Sequence, residues 1–144
     1  MGKVQILAVL TMDGCLSSEL YDKAHQDLCL DRCGLDEIRK KAFYRVTPDY
    51  SISMLHEWRK DCTNIRYLAE ATPDTADYIN GLLRMHAVDE IILYTVPFIS
   101  GSGRHFFKSA LPEQHWTLSS LKSYPNGVCR IIYILDKKAR DRKS

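Results

Sequence analysis

Two glycine-containing turns each follow an apolar stretch of the chain and could bring a ligand close to the backbone. The run Val4–Leu10 leads, within three residues, to Asp13, which precedes a glycine. The run Ile91–Val96 ends at a proline and is followed by Gly101 and Gly103. Glycine adopts positive φ and has no Cβ, so a ligand can approach the backbone closely at such turns. Because ligands bind beyond the carboxyl ends of strands in open α/β sheets, we expect a ligand cleft where the two turns lie.

Two side chains directly after the second turn could take part in chemistry. Arg104 could clamp a phosphate group through its guanidinium, and His105 could act as an acid or a base. The alternatives are a solvated arginine and a loop histidine without a catalytic role. The sequence leaves both alternatives open.

Three possible soft metal ligands, His25, Cys29 and Cys33, recur at intervals of four residues. On a helix they would lie along one face. A structural zinc site needs four ligands, and no fourth ligand stands at a customary spacing. We therefore predict no metal site, and we interpret the thiols as buried or solvated side chains.

The apolar runs predict strands at the centre of a sheet. Strands without polar interruption are covered on both faces, and they belong mostly to parallel or mixed sheets flanked by helices. Ile65–Ala71 is a third predicted strand, and a helix should follow it to about His86, with Thr72 as N-cap and Pro73 at its first position. Other segments with helical or short-strand character are Ser18–Leu28, Gly34–Ala42, Phe43–Val46 and Ser51–Lys60.

A hairpin is predicted near the carboxyl terminus. Trp116–Ser123 and Val128–Leu135 are β-rich and flank the turn dipeptide Asn126-Gly127. An Asn-Gly pair between two such runs is a strong short-range signal for an antiparallel hairpin.

The motifs in these segments resemble those of the reductase domain of riboflavin biosynthesis. That domain is the C-terminal half of the bifunctional deaminase-reductase and belongs to the dihydrofolate-reductase-like superfamily. Val88-Asp89-Glu90, an apolar strand ending in a proline, the Gly-x-Gly loop and the pair Phe106-Phe107 follow its pattern. Met12-Asp13-Gly14 match its Leu-Asp-Gly, and Glu70-Ala71-x-Pro73 match its Glu-Ala-Gly-Pro. The resemblance implies a three-layer α/β/α fold with a mixed sheet and a C-terminal antiparallel hairpin.

The resemblance also implies an activity. NADPH would deliver hydride to a C=N or C=O carbon of a pyrimidine-, pteridine- or ribosylamino-type substrate. Asp13 would be the catalytic residue, orienting the substrate or a proton-donating water, while Met12, Gly14 and Glu70 would bind the substrate.

The resemblance assigns the cofactor to two other segments. The turn at Ala71 and Thr72 would meet it, and Gly101, Gly103 and Arg104 would approach it from the same cleft. The resemblance also suggests a homodimer. The hairpin agrees with this, because it has more apolar residues than one face of a small sheet needs: Leu118, Leu121, Ile131, Ile132 and Ile134.

Some residues depart from the family pattern and favour a second interpretation. Thr72 replaces the glycine whose amide would receive cofactor phosphates, and Asp74 and Asp77 place negative charge beside it. Residues 18–62 contain no family motif. The alternative is a non-catalytic member of the fold that acts as a ligand-binding or self-associating module.

Composition limits the remaining classes. The chain has 144 residues, is 45% hydrophobic and has a net charge of +2, which is typical of one globular domain without a nucleic-acid footprint. We assign residues 1–136 to a single reductase-like domain and 137–144 to a basic tail. Five cysteines without framework spacing fit a reducing compartment, and no apolar run approaches the roughly 20 residues of a membrane helix. We expect a soluble cytoplasmic protein with a small-molecule substrate.

Overall fold

The computed structural model describes residues 2–16, 34–61, 65–97, 99, 104–107 and 111–136. Several predictions made from the sequence lie outside these residues. They are the helix Ser18–Leu28, the thiol and imidazole groups of His25, Cys29 and Cys33, the glycines Gly101 and Gly103, and the basic tail 137–144.

Eight strands and three helices make up the described part of the chain. The strands are β1 (Lys3–Leu10), β2 (Cys15–Leu16), β3 (Tyr44–Arg45), β4 (Arg66–Glu70), β5 (Glu90–Thr95), β6 (Arg104–His105), β7 (Trp116–Ser123) and β8 (Cys129–Leu135). The helices are α1 (Leu35–Lys41), α2 (Ile52–Asp61) and α3 (Ala76–Arg84).

Six strands form one mixed sheet in the order β3-β4-β1-β5-β8-β7. Strands β3, β4, β1 and β5 run parallel, and the hairpin β7–β8 is added antiparallel to β5. Strands β2 and β6 form a separate antiparallel ribbon. The predicted mixed sheet and the C-terminal hairpin are confirmed.

The two faces of the sheet carry separate apolar cores, because successive side chains of a strand point to opposite faces. On one face, alternate residues of β1 such as Ile6 and Ala8 pack with Leu55 of α2 and Ile79 of α3. On the other face, Leu7 and its neighbours pack against α1. Helices on both faces make the three-layer α/β/α architecture, which confirms the predicted fold class.

Helix α3 begins later than predicted. Its N-cap is Thr75 rather than Thr72, and its first residue is Ala76. The prediction was wrong because residues 72–75 form a turn, in which the Thr75 amide donates to the Thr72 carbonyl over 3.1 Å. At its other end the chain leaves α3 through His86, whose φ of 55° stops the helix.

A charged pair fixes the amino ends of the central strands. Arg59 of α2 is buried and forms a salt bridge with Asp89, whose other carboxylate oxygen accepts the Val4 amide at 2.9 Å. Arg59 also donates to the His86 carbonyl at 3.2 Å. The aspartate of the Val-Asp-Glu motif therefore joins α2, β1 and the end of α3, far from the carboxyl ends of the strands.

Among the described helices, none combines the length and apolar character that a membrane crossing requires.

Candidate functional site

The candidate site lies at the carboxyl ends of β4, β1 and β5. These strands are parallel, so the segments that follow them leave the sheet at the same edge. Strand β1 extends beyond β4, since Glu70, the last residue of β4, pairs with Leu7. Asp13 and Glu70 are therefore offset along the strand direction by roughly 10 Å or more, at about 3.3 Å per residue.

Asp13 lies in a turn that is closed by its own neighbours. The Thr11 hydroxyl donates to Oδ1 of Asp13 and accepts the Cys15 amide at 3.0 Å. The Gly14 amide donates to the Thr11 carbonyl at 3.0 Å, and Gly14 has a φ of 79°, which favours glycine. Thr11 is buried, so its hydroxyl holds the Asp13 carboxylate in one position. Met12, at the tip of this turn, is 63% exposed and can contact a ligand.

The ribbon β2–β6 places the residues that follow Asp13 beside Arg104 and His105. Cys15 pairs with His105 and Leu16 with Arg104, so the backbone of Arg104 lies beside the residues that follow Asp13. The Phe106 amide donates to the Gly14 carbonyl at 3.1 Å. The Sγ atom of Cys15 lies 3.9 Å from Nδ1 of His105. Residues about 90 positions apart in the sequence thus form one edge of the site.

Glu70 is paired with a residue that the sequence analysis missed. Nε of Arg39 in α1 lies 2.5 Å from Oε1 of Glu70, and the two side chains are 21% and 22% exposed. A short charged helix gave no signal for this contact, which joins residues 31 positions apart. The pair gives the site one positive and one negative group that remain partly accessible.

Ala71 belongs to the sheet and its core rather than to an open surface. Its amide donates to the Leu7 carbonyl at 2.7 Å, and its side chain is buried. Only its carbonyl side and the residues after it can therefore face a ligand.

The turn after Ala71 does not fit a cofactor diphosphate in this conformation. The Thr72 amide donates to Oγ1 of Thr75 at 2.8 Å, and the Thr75 amide donates back to Oγ1 of Thr72 at 3.2 Å. The Thr75 hydroxyl in turn donates to the Glu70 carbonyl at 2.8 Å. Asp77 adds an acidic side chain in the first turn of α3, which disfavours an anion. The amide that would receive a phosphate is thus already bonded.

Asn80 is a second residue that the sequence analysis missed. It is fully buried on α3, and its amide nitrogen donates to the carbonyls of Ala76 and Phe106, each at 2.8 Å. The signal was a polar residue on the apolar stripe of the helix, beside Ile79 and Leu83. Because a buried amide needs partners, Asn80 fixes α3 relative to the segment after β6.

The described strands and helices form a three-layer α/β domain with a dihydrofolate-reductase-like fold, and the candidate residues lie at the carboxyl edge of its sheet. No known sequence family and no curated protein matches the chain at a significant level. Solved structures do match. A protein from Shewanella sp. PV-4 assigned to riboflavin biosynthesis has a TM-score of 0.56 at 10% identity, with 93% of this chain and 99% of that one covered.

Two longer proteins contain the same fold as one part. RibD of Acinetobacter baumannii has a TM-score of 0.63 at 12% identity, covering 94% of this chain and 58% of that one. The Thermotoga maritima diaminohydroxyphosphoribosylaminopyrimidine deaminase/5-amino-6-(5-phosphoribosylamino)uracil reductase has a TM-score of 0.54 at 9% identity, covering 93% and 56%. The chain spans a little more than half of these two proteins. The resemblance to riboflavin-biosynthesis reductases is confirmed as a shared fold.

Proposed function

We propose that this protein is an NADPH-dependent reductase of a pyrimidine-, pteridine- or ribosylamino-type substrate. The observation that carries the proposal is the placement of Glu70 at the carboxyl end of β4 and of Asp13 just beyond the carboxyl end of the adjacent parallel strand β1. The fold supports it, because that fold is shared over 93% of the chain with the Thermotoga maritima protein named as a uracil reductase.

NADPH, when bound, would supply the hydride. The residues of this chain would hold and orient the acceptor. The Asp13 carboxylate, fixed by the Thr11 hydroxyl, would accept a hydrogen bond from the substrate or from a water that donates the proton. Glu70 would accept hydrogen bonds from substrate hydroxyl or amino groups while Arg39 holds its carboxylate in place. Met12 and the backbone at Gly14 would cover the substrate and exclude water.

Gly101, Gly103 and Arg104 remain the proposed cofactor contacts from the second turn. Thr72 would contribute to cofactor binding only after its amide is released from the Thr75 hydroxyl. We therefore propose that the cofactor binds weakly. Ala71 would contact the cofactor only through its backbone carbonyl.

A non-catalytic module is the second candidate function. The observation that favours it is the reciprocal pair of hydrogen bonds between Thr72 and Thr75, which closes the turn where the family offers free amides. Under this proposal the fold serves for ligand binding or self-association and does not bind a dinucleotide.

Titration with NADPH discriminates the two proposals. Nicotinamide fluorescence and thermal unfolding are recorded for the wild-type chain, with NADH and adenosine 2′,5′-bisphosphate as comparison ligands. A site with a micromolar Kd at millimolar NADPH would raise the free energy of unfolding by roughly 4 kcal/mol. Absence of binding at millimolar NADPH would contradict the reductase and leave the module as the function.

We also propose that the protein forms a homodimer through the face of the hairpin. A groove of about 320 Å³ is lined by apolar residues, among them Leu93, Trp116 and Tyr133. On the neighbouring strand β7, Leu118 and Leu121 are 52% and 64% exposed. A second copy would cover these side chains and remove their apolar surface from water.

A further inference from the structure

A second cavity lies under α1, on the sheet face opposite α2 and α3. Its volume is about 210 Å³, and Ile38 of α1 forms part of its roof. Gln5 of β1, Glu90 and Ile92 of β5, and Arg130 and Ile132 of β8 form its floor and walls. None of Asp13, Glu70 and Thr72 lines it. The cavity is therefore separate from the carboxyl-edge site.

Arg130, which lines this cavity, carries an unsatisfied buried donor. Within the described part of the chain, its Nε is one of two buried side-chain nitrogens without a hydrogen-bond partner. A buried donor without a partner destabilises the fold, so such a group is favourable only where something else compensates it. An anion that binds the planar fork of the arginine would supply the missing acceptors.

Gly34 makes room for this guanidinium. A Cβ on Gly34 would lie 2.8 Å from Nη1 of Arg130, and Gly34 has a φ of 84°, which L side chains rarely adopt. A side chain at this position would force the guanidinium to shift. The loop before α1 thus accommodates a positive charge beneath the helix.

The charge of the lining favours an anionic ligand. Three cations, Lys41, Arg66 and Arg130, face two carboxylates. One of the carboxylates, Glu90, already accepts a hydrogen bond from Gln5 at 3.2 Å, which spreads its charge. The cavity lining therefore has a net positive charge, to which Arg130 contributes a guanidinium.

Size and apolar lining restrict the ligand further. A cavity of about 210 Å³ matches a small ligand better than a dinucleotide. Ile92 and Ile132 are opposite each other in the β5–β8 ladder and form an apolar floor between Arg130 and the Gln5–Glu90 pair. An organic acid with a short apolar body matches this arrangement better than inorganic phosphate does.

We propose that the cavity under α1 is a binding site for a small organic carboxylate. The carboxylate pairs with Arg130, and the body of the ligand packs on Ile92 and Ile132. This site does not depend on the reductase assignment.

Benzoate is the probe, with benzamide as its uncharged counterpart and inorganic phosphate as an anion without an apolar body. Titrations of the full ¹⁵N-labelled chain are followed by the amide NMR signals. We expect saturable shifts at Gly34, Ile38 and Ile132, with a Kd in the millimolar range or below, and at least about tenfold weaker binding of benzamide and of phosphate. Shifts that do not saturate, or equal binding of benzoate and benzamide, would overturn the proposal.

A charge-matched pair of variants tests the arginine. Arg130→Gln should weaken benzoate binding by at least about tenfold, because the charged fork is lost. Lys40→Gln removes one positive charge from the outer side of α1, where it pairs with Asp36, and should leave benzoate affinity unchanged. Equal loss in both variants would contradict a specific site. If Arg130→Gln does not fold, the wild-type chain provides the test. Tighter binding of benzoate than of benzamide supports the proposal, and equal binding contradicts it.

Discussion

The backbone amide of Thr72 donates to Oγ1 of Thr75 at 2.8 Å, and the Thr75 amide donates to Oγ1 of Thr72 at 3.2 Å. This reciprocal pair delays the start of α3 by one turn and uses the amide that the reductase family offers to its cofactor. The Thr75 hydroxyl therefore occupies the Thr72 amide, while the Thr75 amide closes the turn on the Thr72 carbonyl and hydroxyl.

Replacing Thr75 by Val should free the Thr72 amide. Valine has nearly the same shape but no hydroxyl, so the Thr72 amide becomes available to a phosphate, and NADPH should bind several-fold tighter if the reductase proposal holds. The free energy of unfolding should fall by about 1–2 kcal/mol, because the Glu70 carbonyl also loses its donor. NADPH fluorescence titration measures the first effect and urea unfolding the second.

Thr47→Val is the matched control, since the Thr47 hydroxyl also accepts an amide, that of Asp49, in an exposed turn after β3. It should leave NADPH affinity unchanged. Unaltered affinity in both variants would show that the Thr72 amide has no part in cofactor binding.

Asp13→Asn should keep the fold and lower turnover by roughly 10²- to 10⁴-fold, the range typical of a lost acid–base or orienting group. Asparagine can still bond the Thr11 hydroxyl, so the thermal unfolding temperature should stay close to that of the wild-type chain. Steady-state kinetics with NADPH measure turnover. Wild-type turnover in the variant would show that Asp13 has only a structural role in the turn.

The Arg39–Glu70 pair should contribute a measurable coupling energy. Each side chain is about four-fifths buried, so a double-mutant cycle with Arg39→Gln and Glu70→Gln should give about 1 kcal/mol by urea unfolding. The Lys40–Asp36 pair of the same helix is much more exposed and should give a smaller coupling energy. If Glu70 binds substrate, Arg39→Gln should raise KM more than it lowers kcat, whereas a purely structural pair would change neither.

Arg59→Ala should be the most destabilising of these changes. It leaves the Asp89 carboxylate and the His86 carbonyl without their cation, and we expect a loss of about 3 kcal/mol in the free energy of unfolding. Arg84→Ala, at an exposed position of α3, should change stability by no more than about 0.5 kcal/mol. Similar losses of unfolding free energy in the two variants would show that the buried Arg59–Asp89 pair contributes no more to stability than an exposed arginine does.

Leu121→Glu should convert the proposed dimer to a monomer. A carboxylate in the centre of an apolar contact surface must be desolvated, so light scattering should give the single-chain mass of 16.6 kDa. Thr117→Glu, which follows Trp116 on β7 and points to the opposite face, should remain dimeric. A wild-type chain that is monomeric at tens of micromolar would contradict the dimer.

The central strands could be predicted from the sequence because their signal is local. The apolar runs at 4–10 and 91–96 differ from β1 and β5 by one residue at their ends. The same holds for the hairpin, where Asn126-Gly127 fixes the turn and the β-rich runs fix its arms.

The start of α3 and the partners of the site residues could not be predicted from the sequence. A Thr-Pro pair is a good helix start by propensity, but the side chain of Thr75, three residues later, competes with that start. The contacts Arg39–Glu70 and Asn80–Phe106 join residues 31 and 26 positions apart, and no local pattern encodes such distances.

The position of β1 in the sheet has a consequence for the order of folding. The first strand of the chain lies between β4 and β5, so Ile6 must wait for Ala69 and Ile91 before its backbone groups are paired. Long loops must close before these contacts form, which raises the contact order and slows folding. During synthesis the apolar β1 leaves the ribosome well before its partners, and a chaperone that binds extended apolar segments would have its main target in residues 4–10.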